Sequence, residues 1–109
     1  MNVIEQDTAD MYAKWFRCLA DGTRIRILNL VASAEMPMTV GEIVESVGKS
    51  QSTVSRHLQI LGEEGFVLTK PEGIRTLVRV NETCMTALPD AAAVIMTRVT
   101  PRAECSNAS

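Results

Sequence analysis

The sequence predicts a mainly α-helical domain with one small β-hairpin, a winged helix-turn-helix, and three stretches carry that reading. The run from Lys49 to Leu61 is a helix with two unlike faces. The run before it, Thr39 to Gly48, is a short helix with capping chemistry at both ends. The run from Phe66 to Val80 has two strand-forming stretches about a Pro-Glu-Gly turn.

In chain order, Asp7 to Leu19 reads as a first helix, with Met11, Trp15 and Leu19 at i, i+4, i+8. Asp21 or Gly22 opens a second, running to about Ser33, with Ile25, Leu28 and Val31 on one stripe. Ala34 to Met38 reads as a loop. Thr39 and Glu42 have the Ser/Thr-x-x-Glu spacing in which each side chain caps the other's backbone. Val40, Ile43, Val44 and Val47 then form a short apolar face, and Gly48 closes the helix, because glycine adopts the left-handed conformation there at little cost.

The next helix starts at Ser50 or Gln51, and Ser50 suits its N-cap. Val54, Leu58 and Leu61 make the inner stripe. Gln51, Ser52, Ser55, Arg56 and Gln59 lie opposite, with no carboxylate among them. An ordinary solvated face mixes Glu with Lys. A face of amides, hydroxyls and one guanidinium suits phosphates and base edges, where Arg pairs with guanine and Gln with adenine. Two short helices joined by a tight glycine turn, the second carboxylate-free on its outer face, read as a helix-turn-helix. The DNA-contact set is Ser50, Gln51, Ser52, Thr53, Ser55, Arg56, His57 and, from the hairpin, Arg75.

Glu63-Glu64-Gly65 ends that helix. Phe66 to Lys70 and Ile74 to Val80 read as strands around the turn Pro71-Glu72-Gly73, forming a wing. Asn81 caps a helical turn from Glu82 to about Ala87. Pro89 fits a first turn better than a helix interior, so the terminal helix either kinks there or restarts and runs to about Arg98. Ala92, Val94, Ile95 and Met96 make that end apolar. Residues 1–99 form one domain, and 100–109 read as a polar, mobile tail.

Composition bounds the function without choosing it. With 46% hydrophobic residues the chain has the means to build a core. No apolar run approaches the roughly 20 residues of a membrane helix, and the N-terminus lacks the pattern of a signal peptide, so a cytoplasmic protein is expected. The net charge of -2 hides an uneven distribution. From Gly48 to Val80, Lys49, Arg56, Lys70, Arg75 and Arg79 outnumber Glu63, Glu64 and Glu72, while the rest is net acidic. A basic reading head on an acidic body is compatible with binding duplex DNA. No enzyme constellation is found: no glycine-rich phosphate loop, no nucleophile with a base and orienting group, and no paired carboxylates in a recognisable setting.

Leu19-Ala20-Asp21-Gly22-Thr23-Arg24-Ile25-Arg26-Ile27-Leu28 resembles the LADPTRLRIL segment of the ArsR-type (ArsR/SmtB) winged-helix repressors. Gln51 to Leu61 resembles their recognition helix, and Gly65-Phe66-Val67 and Glu72-Gly73 sit where their wing begins and turns. The resemblance covers roughly residues 12 to 97. It implies a homodimer, held by the first and last helices, that binds operator DNA and releases it when an inducer binds. Trp15 and Phe16 on the first helix and the apolar end of the last suit that interface. Two-fold symmetry then implies an inverted-repeat operator.

The resemblance also frames the sensing chemistry. One metal site of the family uses Cys-x-Cys on the helix before the turn, but Val40-Gly41-Glu42-Ile43-Val44 holds no cysteine. Another uses Asp and His on the terminal helix, but the only histidine is His57, read here as a packing or phosphate-contact residue. What remains is Cys84, Cys105 and Cys18, three thiols suited to a soft ion: As(III), Sb(III), Hg(II) or Cd(II). Cys84 leads, because it stands at the entrance to the terminal helix. Cys105 on the tail is placed to swing towards it, and Cys18 reads first as a small buried hydrophobe. They are too few and too dispersed for a secreted disulfide framework. Two alternatives stay open: a thiol-redox switch that forms a disulfide or persulfide, and a winged-helix regulator with no metal ligand.

Overall fold

The computed structural model describes residues 3–97. Its elements are α1 (Gln6–Cys18), α2 (Gly22–Ser33), β1 (Met38–Thr39), α3 (Val40–Val47), α4 (Gln51–Glu63), β2 (Val67–Glu72), β3 (Arg75–Val80) and α5 (Glu82–Met96). Asp21 caps α2 by accepting from the Arg24 backbone N–H at 3.1 Å. The Thr39–Glu42 capping box forms in both directions, at 2.8 and 3.1 Å, and Gly48 ends α3 in the left-handed region with φ of 70°. The Gly48 stop and the Ser50 cap of α4 leave only Gly48-Lys49-Ser50 between α3 and α4, which fixes the helix-turn-helix.

The sheet runs β1-β3-β2, all antiparallel. Met38, expected in a loop, and Thr39, expected as the cap of the next helix, also pair with Val78 and Leu77. A two-residue strand is too short to show alternation, and only the free edge of β3 makes it a strand. The wing also turns later than expected. Pro71 and Glu72 pair with Thr76 and Arg75 inside the strands, and the turn is Gly73-Ile74. β2 is an edge strand, where proline's missing N–H is tolerated. Gly73 takes φ of 64°, as the first residue of a tight hairpin turn often must.

One core joins the helices to the sheet. Phe66, Ile27, Ile43, Leu61, Val54, Val67 and Val78 are its largest fully buried side chains. The stripe expected on α3 and α4 faces inward as read, through Ile43, Val47, Val54, Leu58 and Leu61. The stripe on α2 is shifted. Ile25 is exposed and Ile27 takes its place beside Leu28 and Val31, because α2 is covered from two sides, by α3 and α4 and by β3. On α1, Met11 is exposed, Trp15 and Leu19 pack against the core edge, and Cys18 is the buried residue.

α5 is a single helix, capped by Asn81 accepting from Thr83 N–H at 3.1 Å, with Pro89 in its interior. It neither restarts at Pro89 nor reaches Arg98, since Thr97 is its C-cap. Pro89, which is exposed, removes one donor to the carbonyl of Met85. No helix among the described residues is long and apolar enough to cross a membrane. The expected tail, with Cys105, lies outside the described residues.

Candidate nucleic-acid interface and its cysteine pair

The face expected to read DNA lies on the N-terminal half of α4. Ser50 Oγ accepts from the Thr53 N–H at 3.2 Å, satisfying a free donor of the first turn. It also donates to Thr53 Oγ1 at 2.9 Å and lies 3.3 Å from Ser52 Oγ. The hydroxyls at 50, 52 and 53 therefore cluster at the helix N-terminus, where the helix dipole favours a phosphate. Gln51, Ser52, Ser55 and Arg56 are exposed, and Thr53 and His57 are half-buried at its flank. Among the described residues no carboxylate pairs with Arg56, so its guanidinium is free for a base edge or phosphate. Gln59 is turned along the helix towards Glu63, at 3.5 Å.

The wing places Arg75 beside its turn, paired with Glu72 at 3.0 Å. A phosphate contact by Arg75 would require it to leave that carboxylate, and Ile74, fully exposed, forms the apolar tip next to it. His57 does not point freely outward. Its Nδ1 lies 3.1 Å from Arg24 Nη1, a residue that periodicity and spacing did not mark as functional.

The cysteines are placed by the two ends of the flanking helices. Cys18 is the last residue of α1 and Cys84 sits in the first turn of α5; α1 packs against α5, and both thiols are free and buried in the same cluster. Burial pushes the Cys18 thiol above the ordinary thiol range; the Arg24 guanidinium opposes that rise, while Glu64 and Cys84 add to it. Burial also raises the Cys84 thiol, with Glu64 adding to it. Glu64, at the end of α4, thus lies within electrostatic reach of both, and it also meets Lys14 of α1 at 4.0 Å. Among the described residues no group of three Cys, His, Asp or Glu side chains is arranged to hold a metal ion. His57 stands apart on α4.

The family model for bacterial regulatory proteins of the arsR family matches residues 21–69, from the cap of α2 into β2. An HTH-type transcriptional regulator of Methanocaldococcus jannaschii is 39% identical over 61 residues, 56% of this chain and 67% of that protein. The chain belongs to the ArsR family. This ArsR-family chain is also 41% identical over 64 residues to the probable mercury resistance operon repressor of Streptomyces lividans, covering 59% of this chain and 50% of that protein. It therefore spans half to two thirds of the length of these curated relatives. Among solved structures, the homodimeric winged helix-turn-helix DNA-binding domain Mb0332 of Mycobacterium bovis superposes with a TM-score of 0.64 at 28% identity, covering 94% of this chain and 98% of that one. The family and these relatives are transcription regulators rather than enzymes.

Proposed function

We propose that this ArsR-family chain is a dimeric repressor that reads an inverted-repeat operator with α4 and the wing, and releases it when a thiophilic ion ligates Cys18 and Cys84. The observation that carries the DNA reading is the exposed, carboxylate-free face of α4, centred on Arg56, which has no ion-pair partner among the described residues. The homodimeric relative supports a dimer, and so does the exposed apolar end of α5.

The inducer reading rests on two free thiols at the meeting of α1 and α5. Two thiolates suit Hg(II), which accepts linear two-coordination, better than As(III), Sb(III) or Cd(II), which take three or more. A three-thiolate site would need Cys105 as well. Each thiol that ligates gives up its proton, so sensitivity should rise with pH. Ligation at the ends of α1 and α5 would act on the helices that flank the DNA-reading unit. The coupling is expected to weaken operator affinity roughly 5- to 150-fold, the usual range of about 1–3 kcal/mol.

The test is an anisotropy titration on operator DNA with and without Hg(II). Cys84→Ser should bind DNA as before and no longer release it. Release with unchanged sensitivity in that variant would remove Cys84 from the site. A second reading follows from the same two thiols: an oxidant that takes two electrons and two protons closes them into a disulfide. Non-reducing mass spectrometry after oxidant, set beside Hg(II) titration under reducing conditions, separates the two.

A further inference from the structure

Arg24, in the first turn of α2, touches two other helices with one guanidinium. Its Nε donates to the Cys18 carbonyl at 2.6 Å, and its Nη1 lies 3.1 Å from His57 Nδ1. The Cys18 carbonyl is at the C-terminal end of α1, where helix carbonyls lack intrahelical partners. The backbone N–H of Arg24 donates to Asp21, and this hydrogen bond holds the Asp21 carboxyl below its ordinary range, with a smaller contribution from the Arg24 charge. A guanidinium has donors only. His57 Nδ1 must therefore accept, which puts the ring proton on Nε2, the nitrogen left free for another partner.

We propose that Arg24 is a positioning residue for DNA reading. It fixes His57 as the neutral Nε2–H tautomer on the flank of the reading face, and it ties α4 to the Cys18 end of α1, so that displacement at Cys18 moves α4. The second half rests on the sensing role given above to Cys18. The two contacts need donors on different nitrogens of one rigid fork, which a lysine ammonium cannot span.

The chain has a single histidine, so nitrogen-15 histidine NMR reports His57 without ambiguity. The unsubstituted protein at alkaline pH should show Nε2–H and an unprotonated Nδ1, and Arg24→Lys should show mixed tautomers. Arg24→Lys should also bind operator about threefold to tenfold more weakly, the scale of one or two lost hydrogen bonds. Because coupling is reciprocal, operator DNA should change the rate at which iodoacetamide alkylates Cys18, read by peptide mass spectrometry. That effect should vanish in Arg24→Lys and persist in His57→Asn, whose side-chain oxygen can stand in for Nδ1.

An Nδ1–H tautomer in the unsubstituted protein would overturn the proposal without reference to any variant. So would an Arg24→Lys protein with unchanged operator affinity and intact operator-dependent alkylation. None of these readouts uses mercury. If Hg(II) fails to release DNA while they hold, the inducer reading fails and the Arg24 bridge stands. If Hg(II) releases Arg24→Lys as fully as the unsubstituted protein, the transmission through Arg24 is overturned and the inducer reading stands.

Discussion

Arg56 and the two buried thiols mark the residue scale, because each behaves as its surroundings dictate. Arg56 sits mid-face on α4 with no carboxylate partner among the described residues, so DNA has no ion pair to displace. Arg56→Ala is expected to cost about 1–3 kcal/mol of operator binding, as loss of a bidentate base contact does, with little change in folding stability. An anisotropy titration beside a urea melt separates the two quantities. Arg75 differs, since Glu72 holds it and any gain on DNA would be partly offset by loss of that pair. Cys18 and Cys84 have thiols raised by burial. The folded chain therefore keeps protons that the unfolded chain gives up. The stability tied to them is complete below the ordinary thiol value of about 8.5 and is lost as pH climbs through the raised folded values. Urea melts at increasing alkaline pH should show that loss, and the double variant Cys18→Ala, Cys84→Ala should flatten it.

At the scale of elements, the helix-turn-helix is held by its caps as much as by its apolar stripes. Gly48 stops α3 and Ser50 starts α4, so the angle between the helices depends on a three-residue link. Ser50→Ala leaves the Thr53 N–H without its acceptor and is expected to lower stability by about 1 kcal/mol. It also removes the hydroxyl that organises Ser52 and Thr53, so operator affinity should fall by more than the loss of stability alone would explain. Equal operator affinity in a stably folded Ser50→Ala protein would show that this cluster caps the helix and does not touch DNA. The wing depends on its short turn in the same way. Gly73, in the left-handed region, allows the two-residue link that brings Arg75 next to the tip.

On the scale of the whole molecule, one part of the uncovered apolar surface lies on the flanking helices, and more is spread over α2, the loop before β1 and the wing at Ile25, Met36, Leu68 and Ile74. Val94, Ile95 and Met96 are 45, 47 and 72% exposed, and on α1 Met11 and Phe16 are 44 and 38% exposed. Trp15, by contrast, packs against the chain's own core and lies 5.6 Å from Tyr12, ring to ring. A second copy laid against α1 and α5 would cover the exposed set and pair two reading helices by a two-fold axis. Ile95→Glu is expected to weaken dimerisation and operator binding together, because a carboxylate is costly in an apolar interface. Light scattering and gel shift on the same preparation check it. A dimer of unchanged affinity would move the interface away from the end of α5.

Elements ruled by local chemistry were legible in the chain. The Thr39–Glu42 box, the Gly48 stop, the Ser50 cap and the inward stripe of α4 follow from spacings of three to seven residues, and those spacings survive into the fold. The carboxylate-free outer face was legible for the same reason. Features that depend on a distant partner were not. Met38–Thr39 became a strand only because β3 offered an edge, Ile27 displaced Ile25 from the core because α2 is covered on two sides, and Pro71 entered a strand because β2 lies at the sheet's margin. The burial of Cys18 and Cys84, 66 positions apart in sequence, in one cluster and the bridge from Arg24 to His57 belong to the same class. Hydrogen bonds and periodicities within a helix are set by neighbours in sequence, whereas burial and cross-helix contacts exist only once the chain has packed.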